Sequence, residues 1–400
     1  MRPSSPAYSI CMEGWRFIPH SYAIVNQFYS LELLKRAEIG LFHRDLPFYG
    51  TSWQAIRGLF RGDQEQSLAA IPAPAEGTRI DAVIRCSYPY DLTPAEDAAT
   101  HVIATSELRM VPERSMKDGA SLAARHAACD VTLITCSEWS RQGFLASGAD
   151  PERLHVVPNG VDPAIFGPPS PEARSSLRGQ LRLDGCFAFL SVGAMTPAKG
   201  MGTLLTAFAT VAGRHPEARL ILKGLDPLFR SDDRISRILD ELPAQAAAAI
   251  RPRLIYVGQS LSFDKLAALY HAADAYVSPY QAEAFNIPVL EAAACGLPVI
   301  CTAGGPTDEF VTADFGRFIA SELQPAIVPH GPNGASRKGF RLVPDGDYLA
   351  ALMTELIGDS AFVAAARRAG PDHVRQGWTW SHAVDKLLAV VGAPSYSPRP

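Results

Sequence analysis

Four hundred residues give room for two or three domains, each with a core that needs no disulfide or metal staple. With 47% hydrophobic and 20% charged residues, the chain is neither disordered nor a coiled coil. A net charge of -4 argues against a dedicated nucleic-acid binder, leaving room for local basic pockets, and no apolar run approaches the ~18–20 residues of a membrane helix.

The first residues lead into no signal-peptide apolar core. Residues 8–12 read as a first strand and 23–36 as an amphipathic helix, with Ile24, Phe28, Leu31 and Leu34 on one face. Strands are expected at 79–85 and 101–105, a loop at 67–77 around Pro72 and Pro74, and a helix at 115–129. A buried strand at 131–136 follows, and Ser137 suits the N-cap of a helix over 138–147. A short strand at 155–158 ends in the turn signal Asn159-Gly160. The proline- and glycine-rich stretch 166–171 fits a linker between an N-terminal domain, 1–165, and a C-terminal domain, 166–377.

Beyond the linker the alternation is clear. Strands at 187–192, 219–223, 254–257, 275–278 and 298–301 alternate with helices at 202–214, in the alanine-rich stretch to Ile250, at 263–273 and at 288–295. Near-continuously apolar strands separated by helices imply a parallel sheet covered on both faces. Residues 317–341 read as an irregular insertion and 393–400 as a poorly ordered tail. Neither half carries G-x-G-x-x-G after its first strand, so a dinucleotide-binding module is not expected. Seven cysteines, at 11, 86, 129, 136, 186, 295 and 301, include no C-x-x-C pair and read as buried thiols. They point to a reducing compartment, with the cytoplasm as the expected location.

Three segments carry chemical information. Ser191 to Gly200 runs from a strand into a loop that delivers Lys199 to a helix start, where lysine and helix end together suit an anion; the alternative is a solvated surface lysine. Ser278 to Pro298 places Glu283 in the loop at a strand's carboxyl end, where open α/β sheets bind ligands, and Glu291 in the first turn of the following helix. Pro288 fits that helix's first turn and Gly296 the position past its end. Asn286 and Ile287 put backbone N–H groups at the helix mouth, where two carboxylates could accept bonds from sugar hydroxyls on either side of a bound diphosphate; the alternatives are a chance pair of glutamates and, for Glu291 alone, a carboxylate complementing the helix dipole. Thr302 to Glu309, with Gly304-Gly305, is either a ligand-approaching loop or a plain turn.

The stretch from Leu190 to Phe310 resembles the nucleotide-sugar-binding domain of the family 4 retaining glycosyltransferases. Glu283 and Glu291 match that family's E-x7-E motif and Lys199-Gly200 its phosphate-binding K-G; residues 137–166 resemble its domain junction. Trp378-Thr379-Trp380 and the following helix, about 378–392, resemble the segment that returns to the N-terminal domain. The resemblance implies an α/β chain of the GT-B fold, two Rossmann-like domains facing each other across a cleft. It implies a cytoplasmic hexosyltransferase-like enzyme that retains anomeric configuration and needs neither metal nor cofactor, with a nucleoside diphosphate sugar as co-substrate. The acceptor, a glycan, a lipid-linked group or a small molecule, lies outside what it specifies.

Carried over residue by residue, Lys199 and Glu283 become the catalytic pair, with Lys199 on the diphosphate and Glu283 on sugar hydroxyls. Gly193, Gly200 and the Phe285, Asn286 and Ile287 backbone border sugar and phosphate, Glu291 takes the ribose, and Val257, Gly258 and Ser260 border the base. Ala194 stands where the family often has an arginine, and Ser106 or Glu107 where it often has a histidine. His20, beside Ser21, is a substitute on the acceptor side or simply a helix cap. The rival readings are a GT-B nucleotide-sugar epimerase or phosphorylase-like enzyme, and a catalytically idle module that binds a sugar nucleotide or glycan.

Overall fold

The computed structural model describes residues 6–329 and 336–393. Its chain divides into two compact units. One takes the sequence up to Gly160, Pro325–Gly339 and the sequence from Trp380; the other takes Val161–Gln324 and Phe340–Thr379. The division assigns Pro325–Gly339 to the first unit, where the sequence gives no such signal.

The first unit is built on a parallel sheet of six strands: β1 (Tyr8–Gly14), β2 (Ile39–Asp45), β3 (Ala82–Cys86), β4 (Ala99–Ile103), β5 (Val131–Thr135) and β6 (Leu154–Val156). Their order is β2-β1-β3-β4-β5-β6. Helix Ser21–Leu33 buries Phe28 and Tyr29, and Trp380 from the last described helix, Trp380–Val390, stacks on Phe28 at 5.2 Å. Ser137 caps its helix as expected, its Oγ accepting from Ser140 N at 3.0 Å.

Several local expectations fail for visible reasons. The helix expected over 115–129 is confined to Leu122–Ala127. Met116 bridges to Tyr90, and Gly119 has a left-handed φ of 69°, so the preceding turns cannot continue a helix. The expected loop 67–77 begins inside a helix, Gly62–Ala70, that carries a single buried residue, Leu68, and so shows almost no apolar stripe.

The second unit repeats the architecture with β7 (Phe187–Val192), β8 (Ala218–Lys223), β9 (Leu254–Val257), β10 (Ala275–Ser278), β11 (Val299–Thr302) and β12 (Gly316–Ile319). The order β12-β11-β10-β7-β8-β9 is the doubly wound one, reversing between β7 and β10. One sheet face packs Phe189, Leu220, Leu222, Ala275 and Val277 against Leu204, Leu205 and Phe208 of helix Met201–Arg214. The described residues of 317–341 are not irregular. They contain most of β12 and of the ladder between β13 (Ser321–Pro329) and β14 (Ser336–Pro344), whose polar residues mask any apolar alternation. The tail expected at 393–400 falls, past Ala393, outside the described residues.

All seven cysteines are free thiols, and Cys11, Cys86, Cys136, Cys295 and Cys301 are buried. Among the described residues no single helix is long and apolar enough to cross a membrane.

Candidate functional site

The strand order reverses between β7 and β10, the switch point at whose carboxyl ends doubly wound sheets bind ligands. Two loops leave these ends. From β7 the chain passes Gly193 and makes one 3-10 turn, Pro197–Lys199, before Gly200 caps helix Met201–Arg214. From β10 it passes Pro279 and Glu283 to helix Ile287–Ala294.

The loops are locked together. Ala198 O accepts from Gln281 N at 2.7 Å and from Ala282 N at 3.2 Å. Gly200 adopts φ 68°, and a Cβ there would collide with the Pro279 carbonyl oxygen, so both backbone conformation and close approach require glycine. This contact brings Lys199 Nζ onto Glu283 Oε1 as a salt bridge, with the carboxylate buried and the lysine side chain one quarter exposed. Lys199 is therefore not a solvated surface lysine.

Asn286 has φ 77° and ψ 63°, and its Nδ2 donates to Ser278 Oγ at 2.9 Å, fixing the turn into the helix. Among the described residues no acceptor meets the N–H groups of Phe285, Asn286 and Ile287, so three donors stand at this helix entrance. Phe285 itself stacks on Phe310 at 5.0 Å.

Glu291 departs from expectation. It lies in the second helical turn, not the first, and is buried. Its Oε2 accepts from the Tyr270 hydroxyl at 2.7 Å. Burial pushes its pKa up to about 7, against a smaller pull from the Tyr270 hydrogen bond. Tyr270 escapes sequence reading because it sits 21 positions away on helix Phe263–Ala272 with nothing to mark it among other core aromatics.

Val257 and Gly258 close the β9 edge. Val257 O accepts from Gly224 N and Gly258 O from Asp226 N, both at 2.9 Å. Asp226 in turn takes a bond from the Tyr256 hydroxyl and lies against Gly258, whose missing side chain makes room for the carboxylate. Ser260 Oγ is shielded from solvent and has no partner among the described residues. By contrast, Gly305 in the third segment gives its space to the Tyr280 hydroxyl, which donates to Thr302 O at 3.1 Å. That segment is a packed turn.

In the first unit, His20 caps helix Ser21–Leu33, its Nδ1 accepting from Tyr22 N at 3.3 Å. It packs among Trp15, Tyr22 and Trp53, and burial pushes its pKa down to about 4, so the ring is neutral. Ser21 is the exposed first residue of that helix. Glu107 is exposed and its carbonyl accepts from Trp139 Nε1 at 3.0 Å, whereas Ser106 is buried, its Oγ bonded to Met110 backbone.

Residues 174–328 match the family described as glycosyl transferases group 1. A GDP-mannose-dependent monoacylated alpha-(1-6)-phosphatidylinositol monomannoside mannosyltransferase of Corynebacterium glutamicum is 26% identical over 75% of this chain and 72% of its own length. A D-inositol 3-phosphate glycosyltransferase of Mycolicibacterium vanbaalenii is 29% identical over 66% of this chain, which spans about half, 53%, of that relative. Anabaena HepE, crystallised with UDP and glucose, superposes with a TM-score of 0.66 at 15% identity, covering 96% of this chain and 99% of that one.

Proposed function

We propose that this chain is a glycosyltransferase of the GT-B fold that moves a hexose from a nucleoside diphosphate sugar held at the β7–β10 switch point to a hydroxyl acceptor, with retention and without a metal ion. The observation that carries this reading is the Lys199–Glu283 pair, clamped by the Gly200–Pro279 contact beside three unpaired backbone N–H groups. A diphosphate sugar needs a cation and N–H donors at its phosphates and an acceptor at its sugar hydroxyls, and these stand side by side here.

On this reading Lys199 turns from Glu283 to the diphosphate, whose negative charge grows as the glycosidic bond breaks. A fixed cation facing that charge stabilises the transition state more than the ground state. Glu283, released, accepts bonds from the sugar, and the leaving phosphate oxygen takes the acceptor proton. Glu291 and Tyr270 hold the ribose side, and Val257, Gly258 and Ser260 border the base. Free thiols in a buried setting fit a reducing compartment such as the cytoplasm.

The relatives direct the test. GDP-mannose and UDP-glucose are offered as donors, with D-inositol 3-phosphate and a phosphatidylinositol mannoside as acceptors, each with and without chelator. The expected result is transfer from one donor, undiminished by chelator and with the donor's anomeric configuration kept. Tight nucleotide binding without turnover on any acceptor or water would leave the idle module; loss of transfer in chelator, restored by magnesium or manganese, would overturn the metal-free site.

A further inference from the structure

The switch point has a charge imbalance. Lys199 is paired with Glu283, Glu291 is buried nearby, and Ala194 supplies no cation. Yet a second lysine stands at the same sheet end. Lys223 is the last residue of β8 and is 6% exposed. Its ammonium donates to the Gly224 carbonyl, and among the described residues no carboxylate stands within 4.0 Å of it. A buried ammonium held by a neighbouring carbonyl, with the Asp226 carboxylate acting on it only from beyond that distance, is an unfavourable arrangement unless something else uses it.

Its placement says what that is. Gly193 N donates to Lys223 O at 3.0 Å, and Gly193 Cα faces Lys199, whose Cε would lie 3.5 Å from an added Cβ. Gly193 thus lies between the Lys223 main chain and the Lys199 side chain. In the ladder Val192 is directly opposite Lys223, and Leu190 is opposite both Ile221 and Tyr276. Side chains alternate along a strand, so Lys223 shares the sheet face of Val192 and Tyr276, opposite to the face that packs Leu220, Leu222 and Val277. Tyr276 lies 5.8 Å from the Tyr270 ring, which leads to Glu291. Lys223 therefore looks onto the same face as the carboxylate assigned to the ribose.

We infer that Lys223 is a second cation for the donor diphosphate, reaching it from β8 and standing in for the positive charge that Ala194 does not supply. The inference rests on the switch point being a nucleoside diphosphate sugar site. A flexible four-carbon stem lets the ammonium leave the Gly224 carbonyl for a phosphate oxygen. Burial pushes its pKa down to about 8 while Asp226 pulls it up, which leaves it charged at neutral pH and poorly solvated until an anion arrives.

Calorimetric titration of the full chain with GDP, GMP and guanosine, and with UDP, UMP and uridine, tests it on wild type and Lys223→Met. Exchanging a charge-assisted bond for a thioether should weaken the preferred diphosphate about 10- to 150-fold and leave its nucleoside within about threefold. Without ligand, Lys223→Met should melt at or above the wild-type temperature, since a buried, unpaired charge is removed. Lys223→Gln, polar but neutral, should lose diphosphate affinity to a similar degree. Unchanged diphosphate affinity in both variants, with wild type binding the diphosphate, would overturn the assignment to Lys223 alone. So would an equal loss for nucleoside and diphosphate, which would move Lys223 to the base or ribose. If wild type binds neither diphosphate, the donor site itself falls, and this inference with it.

Discussion

Glu291→Gln should change how the fold responds to pH. The carboxyl is buried with the Tyr270 hydroxyl as its hydrogen-bond donor, and its pKa is raised from 4.5 to about 7 chiefly by desolvation. In the unfolded chain it returns to its ordinary value. A raised folded pKa gives stability that is fully present below pH 4.5 and is lost as pH rises to about 7, where the buried carboxyl must ionise. At ~1.4 kcal/mol per unit, that gap is worth roughly 3 kcal/mol. Glutamine keeps an acceptor for Tyr270 and cannot ionise. The variant's stability relative to wild type should therefore climb by roughly 3 kcal/mol across this window and level off above it. Urea unfolding of both chains in steps from acid to mildly alkaline pH measures this, because every other titrating group is common to both and cancels in the difference. A difference that stays flat from acid to neutral would show that Glu291 ionises as freely in the fold as outside it, and the desolvated picture of the site would be wrong.

Lys199→Ala should lower turnover by about 100-fold, the usual scale for one preorganised electrostatic group, and should also destabilise the fold, since it leaves the buried Glu283 without its cation. Steady-state rates with saturating donor and a melting curve read both, and a fully active variant would reject the phosphate role. Gly200→Ala should cost about 1–2 kcal/mol from the left-handed backbone alone and more from the collision with the Pro279 carbonyl, with activity falling as the two loops part. Gly202→Ala, two residues on in a helix with open space around it, should instead gain up to about 1 kcal/mol; equal urea midpoints for the two variants would contradict the clamp.

Much of the second unit was legible because its strands are short apolar runs bounded by glycine, proline and capping residues. Strands 187–192, 254–257 and 275–278 fall where the structure has them. The first unit was harder. Its sheet needs β2, Ile39–Asp45, in which His43, Arg44 and Asp45 interrupt the apolar pattern, and its helix Gly62–Ala70 is mostly solvent-facing. At the site, the spacing of Lys199, Glu283 and Glu291 was visible, but their partners were not. The Lys199–Glu283 bridge spans 84 positions and depends on a backbone contact at Gly200, which no local pattern encodes. Lys223 did leave a mark in the sequence: a lysine closing the apolar run Leu220-Ile221-Leu222, just before a glycine. Its burial and lack of a carboxylate partner needed the fold.

The helix Trp380–Val390 has a consequence for how the chain is made. Trp380 stacks on Phe28, Arg36 Nη2 donates to Asp385 Oδ1 at 2.7 Å, and the Tyr8 hydroxyl donates to Val391 O at 2.6 Å, so residues near the start are closed by residues near 390. Domains generally fold as units during synthesis, the N-terminal one first. Here the first unit emerges from the ribosome early but waits, with the Phe28 and Tyr29 face uncovered, while more than 200 further residues are added. The second unit has its last segment, up to Thr379, just before the first receives the helix that seals it. Nascent chains stalled short of residue 380 are therefore expected to expose the Phe28 and Tyr29 face that Trp380 covers in the folded protein.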